Sequence, residues 1–119
     1  MGPAKFVEKP WGSELWVAVT DKYALKIIVF KKGSRSSLQL HKKKHEHIYI
    51  DQGRVRMELE QPDGTMSVEE FGPGSVIENP PGRKHRTEAI EDCRLIEVST
   101  PELDDVVRLE DDYNRGVGQ

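Results

Sequence analysis

Short alternations of apolar and polar residues recur along most of this chain. The segment RVRMELE at 54–60 alternates polar and apolar side chains, the pattern of a strand with one buried face. Runs rich in β-branched and aromatic residues at 14–20, 23–30 and 93–99 predict further strands. Turn-forming residues separate these runs, and the segment QPDG at 61–64 predicts a hairpin turn. The hydrophobic pattern therefore predicts an all-β fold.

About ten short strands are predicted in total, and no segment has the length and periodicity of a long helix. Besides 6–8, the predicted strands are 14–20, 23–30, 36–41, 46–51, 54–60, 65–71, 76–77, 85–89 and 93–99. Segment 103–109 fits either a strand or a short helix, and Asp104 and Asp105 favour a helix start. Such a series of strands is typical of an antiparallel sandwich or barrel, of which the jelly roll is one form. We expect one domain over residues 1–119, with an N-terminal arm at 1–8 and a C-terminal tail at 102–119.

Composition and length exclude several classes of protein, and 119 residues suit one domain. The net charge of −3, with both signs interspersed, does not indicate a nucleic-acid partner. No apolar run approaches the roughly 18 residues of a membrane helix, and the N-terminus lacks the apolar segment of a secretion signal. The one cysteine, Cys93, cannot form an internal disulfide, which fits a reducing compartment. We therefore expect a cytoplasmic protein that binds neither nucleic acid nor membrane.

The residues that can carry chemistry are concentrated between positions 33 and 53. Gln39 and His41 are two residues apart, so they project from the same face of a strand. Glu46 begins the next apolar run, and the polar turn at 42–45 can fold that run back beside the first. An amide, an imidazole and a carboxylate would then converge on one point, and such groups ligate divalent transition metals.

A second segment supplies a fourth candidate ligand. GSVIENPPGRKH at 74–85 has five residues between its glycine and first proline, then a Pro-x-Gly turn, then two residues before His85. Each residue also has a simpler possible role. A lone histidine in a strand is usually at the surface, and Glu46 could form a surface ion pair with nearby lysines that adds little to stability. The presence of all four groups, with a turn in each segment that can bring them together, favours a bound metal over these simpler roles. The remaining histidines are not expected to be ligands. His45 is expected in the turn, exposed to solvent. His47 follows Glu46 and should face the opposite side of the strand, either at the surface or in contact with a ligand from behind.

The two segments resemble the paired motifs of the cupin superfamily. These motifs usually read Gly-x5-His-x-His-x(3 or 4)-Glu-x6-Gly and Gly-x5-Pro-x-Gly-x2-His-x3-Asn. This chain matches both spacings, with Gln39 at the place of the first histidine and Ala89 at the place of the final asparagine. The Gln, His, Glu, His set resembles the phosphomannose isomerase branch. The segments KPWG at 9–12 and DVVRLEDDY at 105–113 resemble the cupin domain of type II mannose-6-phosphate isomerases, and the resemblance runs over about 9–115.

The resemblance implies a double-stranded β-helix, or jelly-roll barrel, that holds one divalent metal ion. The implied ligands are Gln39, His41, Glu46 and His85. The resemblance implies zinc or manganese, while the ligand chemistry also suits iron, cobalt or nickel. The implied reaction is the aldose–ketose isomerisation of a sugar phosphate or a related sugar. In it a proton moves between C1 and C2 through an enediolate, with the metal as Lewis acid.

Four charged side chains are candidates for substrate chemistry. Lys26 and Glu97 each interrupt an apolar strand, and both match residues of the isomerase-like cupins. We expect Glu97 to shuttle the proton and Lys26 to contact the oxyanion or the substrate, the simpler alternative being an ion pair for each. Arg108, in the tail, is expected to lie at one mouth of the barrel. Both Arg108 and Arg86 are expected to bind an anionic substrate. Strand alternation opposes this role for Arg86, which is next to His85.

Two other functions use the same residues. One is a different metallocupin enzyme, such as an epimerase, a lyase or an oxygenase, because fold and metal do not determine the reaction. The other is a non-catalytic sugar-binding or regulatory module, which would bind its ligand without turnover. In each case the partner is a small molecule, with a sugar or sugar phosphate expected. We also expect a homodimer, since one-domain cupins cover open sheet edges by pairing.

Overall fold

The chain is built from strands. The computed structural model describes residues 1–115, and residues 116–119, the end of the expected tail, lie outside the described part. That part contains eleven strands and no helix: β1 (Lys5–Lys9), β2 (Gly12–Val19), β3 (Ala24–Phe30), β4 (Leu38–Leu40), β5 (Glu46–Gln52), β6 (Val55–Glu60), β7 (Met66–Phe71), β8 (Val76–Asn79), β9 (His85–Ala89), β10 (Cys93–Ser99) and β11 (Val107–Glu110). Each predicted strand overlaps an observed one, and the predicted all-β fold is confirmed.

The strands form two antiparallel sheets whose inner faces pack together. The larger sheet has the order β1-β2-β3-β10-β5-β8, and the smaller has the order β11-β4-β9-β6-β7. Neighbours such as β3 and β10 are far apart in the sequence, as in a cupin jelly roll. Among the described residues, no strand of one sheet pairs with a strand of the other, so the expected barrel is open along its sides.

Each end of the chain contributes an edge strand to one of the two sheets. The expected N-terminal arm contains β1, which pairs with β2 as an edge strand. The expected tail contains β11, which pairs with β4 at the edge of the smaller sheet. The short helix considered for 103–109 is therefore wrong, and the strand alternative is confirmed. Asp105 does not begin a helix because its carboxylate accepts hydrogen bonds from the turn at 42–44.

The space between the sheets contains an apolar core and, adjoining it, a cavity whose far end is polar. In the core, the Trp11 and Phe30 rings stack with centroids 4.0 Å apart. Along β10, Leu95 and Glu97 are both buried because they are two residues apart and point inward. The inward side chains are thus apolar at one end of the strands and charged at the other. They surround a cavity of about 750 Å³. Because a buried charge needs a partner, this polar end is the candidate site.

In residues 1–115, no helix is long and apolar enough to cross a membrane.

Candidate metal centre

Four predicted ligands approach the cavity from both sheets. Gln39 on β4 lies directly opposite His85 on β9, so their side chains project from the same face. Glu46 is the first residue of β5 in the facing sheet. His41 follows β4, and its carbonyl accepts a hydrogen bond from the amide of Gly82 at 2.6 Å. Gly82 has φ of +85°, a conformation that glycine adopts at little cost, so the turn before His85 is tied to the end of β4.

Three of these side chains meet at one buried point. The ligand atoms of His41, Glu46 and His85 lie within 4.8 Å of one another. His41 Nε2 is 3.2 Å from one Glu46 carboxylate oxygen, and His85 Nε2 is 3.7 Å from the other. Each of the three residues is at most 4% exposed. The structure therefore brings together an imidazole–carboxylate–imidazole set in a closed environment.

Gln39 reaches the same cluster through its amide nitrogen. Its Nε2 is 3.5 Å from His85 Nε2, and its Oε1 accepts a hydrogen bond from the Ser37 hydroxyl at 2.7 Å. Rotating the Gln39 amide exchanges the positions of its oxygen and nitrogen. Because a hydroxyl both donates and accepts, Ser37 can bond the amide in either orientation. Gln39 thus lies beside the three other predicted ligands.

Backbone carbonyls orient both imidazole rings. His41 Nδ1 lies 2.6 Å from the carbonyl oxygen of Asp105, and His85 Nδ1 lies 2.9 Å from that of Arg83. A carbonyl only accepts, so Nδ1 carries the proton and a neutral ring presents a lone pair at Nε2. His41 Nε2 is buried without a hydrogen-bond partner among the described residues, because its contact with Glu46 lacks hydrogen-bond geometry. A lone pair that faces a carboxylate fits a site for a cation.

The protonation states suit metal ligands. Burial raises the pKa of Glu46, but the positive charge beside it, which includes the Lys44 ammonium 3.1 Å away, outweighs burial and holds that pKa well below its usual range. Burial lowers the pKa of His85, and the Glu46 carboxylate offsets this only in part. An ionised carboxylate and a neutral imidazole are the forms that bind metal ions.

A buried lysine links the candidate metal ligand Glu46 to the predicted proton shuttle Glu97. Lys44 Nζ is 3.1 Å from Glu46 Oε1 and 3.0 Å from Glu97 Oε2, and the residue is 4% exposed. Burial lowers the pKa of Lys44, but the two carboxylates outweigh it and raise that pKa above its usual value. Sequence reasoning placed Lys44 in a polar turn and allowed a surface pair between Glu46 and a nearby lysine, but it did not predict that Lys44 is buried or that it also contacts Glu97. Its position could have been predicted from the spacing, because Lys44 is two residues before Glu46. If the strand began at Lys44, the two side chains would lie on the same face.

Two further residues that the sequence did not indicate support the centre. Asn79 Nδ2 donates to Glu46 Oε2 at 3.0 Å from the opposite position on β8. The Asp105 carboxylate accepts hydrogen bonds from three consecutive backbone amides, at 2.6–3.1 Å, in the turn at 42–44. Because the Asp105 carbonyl also bonds His41, one residue from the tail holds both the turn and a ligand.

The two candidate catalytic residues lie side by side, but each pairs with another residue. Glu97 on β10 is opposite Lys26 on β3. Lys26 Nζ is 3.3 Å from Glu14 Oε1 and lies over the ring of Trp16, 4.8 Å from its centroid. Burial and the nearby Glu46 raise the pKa of Glu97, with partial compensation from its lysine neighbours. Both residues line the cavity.

The two candidate arginines are placed differently. Arg108 lines the cavity directly opposite Gln39, and its Nη1 donates to a backbone carbonyl at 3.2 Å. Arg86 is buried, donates to the carbonyl of Ser36 at 2.9 Å and lies 3.6 Å from Glu110. Arg86 is not among the described residues that line the cavity, because alternation on β9 turns it away from the side of His85.

We expect Lys44→Met to destabilise the protein by about 2–3 kcal/mol, because it leaves Glu46 and Glu97 buried without their shared cation. The adjacent Lys43 is exposed and provides a matched control, since Lys43→Met should change stability by less than about 0.5 kcal/mol. Urea unfolding of metal-free protein measures both. Equal free energies of unfolding for the two variants would show that Lys44 does not bridge the carboxylates.

Comparison with known proteins gives one family and a set of similar folds. Residues 4–111 match the family model described as mannose-6-phosphate isomerase C-terminal. The mannose-1-phosphate guanylyltransferases of Escherichia coli (strain K12) and Salmonella typhimurium (strain LT2) are each 33% identical over 114 residues. That alignment covers 92% of this chain but 23% of each relative, so the chain spans about a quarter of their length.

Solved structures with similar folds have lower sequence identity. KdgF from Halomonas sp. has a TM-score of 0.74 at 22% identity, covering 84% of this chain and 90% of that one. A Bacillus subtilis oxalate decarboxylase, described with Mn(II) centres, has a TM-score of 0.76 at 22% identity, covering 89% of this chain and 30% of that one. These similarities show the cupin fold.

Proposed function

Because this chain belongs to the family of mannose-6-phosphate isomerase C-terminal domains, we propose that it is a metal-dependent enzyme that interconverts an aldose and a ketose. Its substrate is a sugar phosphate or a related sugar. The observation that carries this proposal is the burial of His41, Glu46 and His85 around one point of a cavity that also contains Glu97 and Lys26. The cavity, about 750 Å³, is in the size range of small-molecule sites.

The proposed cofactor is one divalent ion, zinc or manganese, held by His41, Glu46, His85 and Gln39. The buried lone pair of His41 Nε2 beside an ionised Glu46 supports this assignment, since residues 1–115 offer that nitrogen no donor. Iron, cobalt and nickel suit the same ligands. When bound, the ion supplies a Lewis acid for the negative charge that develops on a substrate oxygen.

Glu97 is the proposed proton shuttle between C1 and C2. A base at this step must be ionised yet readily protonated, and burial raises the pKa of Glu97 toward the working range of such a group. Lys44 donates to Glu97 Oε2 at 3.0 Å, which holds the carboxylate in one orientation. The residue is 5% exposed, so bulk water does not compete for the proton at this position.

Lys26 and Arg108 are the proposed contacts for negative charge on the substrate. Lys26 lies opposite Glu97 and projects from the same inner face, where its ammonium can stabilise an oxyanion near the transferred proton. Arg108 lies opposite Gln39 on the facing sheet, where its guanidinium can bind a phosphate or carboxylate. The two cations thus reach the cavity from opposite sheets.

Proton exchange with solvent tests the proposed reaction. Metal-loaded protein in D2O is incubated with mannose 6-phosphate, fructose 6-phosphate and the unphosphorylated sugars, and the products are followed by NMR. Deuterium at C2 together with ketose formation supports isomerisation. Binding without exchange would instead identify a sugar-binding module, and oxygen consumption would identify an oxygenase. Either result contradicts the proposal.

We also propose that a second copy of the chain covers an apolar row on the outer face of the larger sheet. Leu15, Ile27, Ile96, Tyr49 and Val76 are consecutive opposite residues on β2, β3, β10, β5 and β8. At roughly 4.8 Å per strand the row is about 20 Å long, which matches the buried centre of a dimer interface of roughly 800 Å² per partner. The proposed dimer uses a sheet face rather than a sheet edge.

The ion pair beside the row does not oppose self-association. Arg94 is paired with Asp51 at 2.6 Å within the same copy, so docking two copies does not oppose like charges there. We expect Ile96→Glu to convert a dimer to a monomer in light scattering. Val68→Glu, at an exposed position on β7, is the matched control and should leave the dimer intact. A native protein that is monomeric at about 100 μM would contradict the proposed dimer, because interfaces of this size usually bind more tightly.

A further inference from the structure

A second cluster of metal-ligating side chains lies on the outer face of the larger sheet. His45 Nε2 is 2.7 Å from Glu78 Oε2, and His47 Nε2 is 3.7 Å from the same oxygen. One ligand atom from each of the three side chains lies within 4.8 Å of the other two. The side chains are 40–52% exposed, so the cluster is open to solvent on one side.

The backbone holds these three side chains in position. His45 and His47 are two residues apart and point outward, and His47 lies directly opposite Glu78 in the ladder of β5 and β8. The His45 backbone makes two hydrogen bonds to Thr100, from its amide to the hydroxyl and from its carbonyl to the Thr100 amide, both at 3.0 Å. The two imidazole rings stack with centroids 5.5 Å apart. The cluster is therefore largely preformed.

We propose that His45, His47 and Glu78 form an exterior binding site for a divalent transition-metal ion such as zinc. Two imidazoles and one carboxylate are a common ligand set for zinc. With zinc–ligand bonds of about 2.0–2.1 Å, tetrahedral ligand atoms are roughly 3.4 Å apart. The observed separations of 2.7 and 3.7 Å from Glu78 Oε2 lie on either side of that value. Three protein ligands leave a fourth position for water or for a donor from another molecule.

The exterior site lies directly behind the interior centre. On β5 and β8, Glu46 and Asn79 are opposite each other and buried, while the next pair, His47 and Glu78, is exposed. Asn79 donates to Glu46, so the spacing of these two strands determines where the interior carboxylate lies. A cation bound by His47 and Glu78 spans the same two strands and holds them at that register. Occupancy of the exterior site thereby stiffens the support of Glu46.

Zinc titration of metal-stripped protein tests the proposal. Calorimetry should give two equivalents for the native chain, and His47→Ala should weaken the exterior one by about 10–100-fold or more. Lys43→Ala, an exposed neighbour that is not a ligand, is the matched control and should keep both equivalents. His41→Ala should lose the interior equivalent and keep the exterior one. This variant separates failure of the exterior site from failure of the proposed interior centre.

Histidine ring ¹⁵N signals give a second measurement. In His41→Ala protein, the exterior equivalent should shift the ring resonances of His45 and His47 together, and Glu78→Gln should reduce both shifts. Because all three side chains are at least 40% exposed, these variants should remain folded, which thermal unfolding verifies. Unchanged ring signals on zinc addition, or equal zinc binding by the native and His47→Ala proteins, would overturn the proposal.

Discussion

Replacing Glu46 with glutamine should lower the affinity of the interior centre for zinc or manganese by about 100-fold or more, and reduce turnover roughly 10³-fold. Among residues 1–115, Glu46 supplies the carboxylate that lies between both imidazoles, and the Lys44 ammonium favours its ionised form. Glutamine has the same shape but no charge. Metal content after dialysis and isomerisation of mannose 6-phosphate measure the two effects.

The control for this variant is a carboxylate of the same type outside the cavity. Glu69 on β7 is exposed, so Glu69→Gln should leave metal affinity and turnover within about twofold of native. Urea unfolding should find Glu46→Gln folded, because Lys44 keeps its contact with Glu97. If folded Glu46→Gln retained native metal content, the His41, Glu46 and His85 cluster would not be the metal centre.

Replacing Glu97 with glutamine should reduce turnover by about 10³-fold while leaving metal content unchanged. The glutamine keeps the volume of the side chain but cannot accept the proton from C1 or C2. Glu97 lines the same cavity as the cluster but is not one of the three clustered residues, and its oxygen contacts Lys44 at 3.0 Å. Deuterium exchange at C2 measured on metal-loaded protein isolates the proton-transfer step from substrate binding.

A conservative variant separates this role from a structural one. Glu97→Asp retains a carboxylate, so it should recover part of the exchange that Glu97→Gln loses, whereas a purely structural role predicts that the shorter side chain is the worse of the two. Exchange in Glu97→Gln within about threefold of native would remove Glu97 from the reaction, since general-base catalysis contributes at least about 100-fold.

The local pattern was sufficient to predict most of the strands and the ligand spacing. Two-residue alternation places Gln39 and the inward residues of β6 and β10 without any knowledge of tertiary contacts. The Pro-x-Gly turn before His85 is likewise a local feature, because glycine relieves the steric cost of the φ of +85° that this turn requires. The candidate ligands could therefore be named from their intervals along the chain.

Features that depend on distant segments could not be predicted in this way. Lys44 is buried only because Glu97, 53 residues away, comes to lie beside it. Asp105 bonds three amides 61–63 residues away, and no local pattern distinguishes it from an acidic helix start. The position of Arg108 beside Gln39 depends in the same way on the pairing of β11 with β4.

The sequence by itself determined the class of fold, the turns and the identity of the groups that can bind a cation, because these depend on neighbouring residues and on side-chain chemistry. The tertiary structure alone decided which charges share a buried space. It placed the Lys44 ammonium between Glu46 and Glu97 and brought Glu78 beside His45 and His47 on the outer face. The physical reason is that electrostatic interactions act between atoms that are close in space, and in a jelly roll those atoms come from strands far apart in the chain.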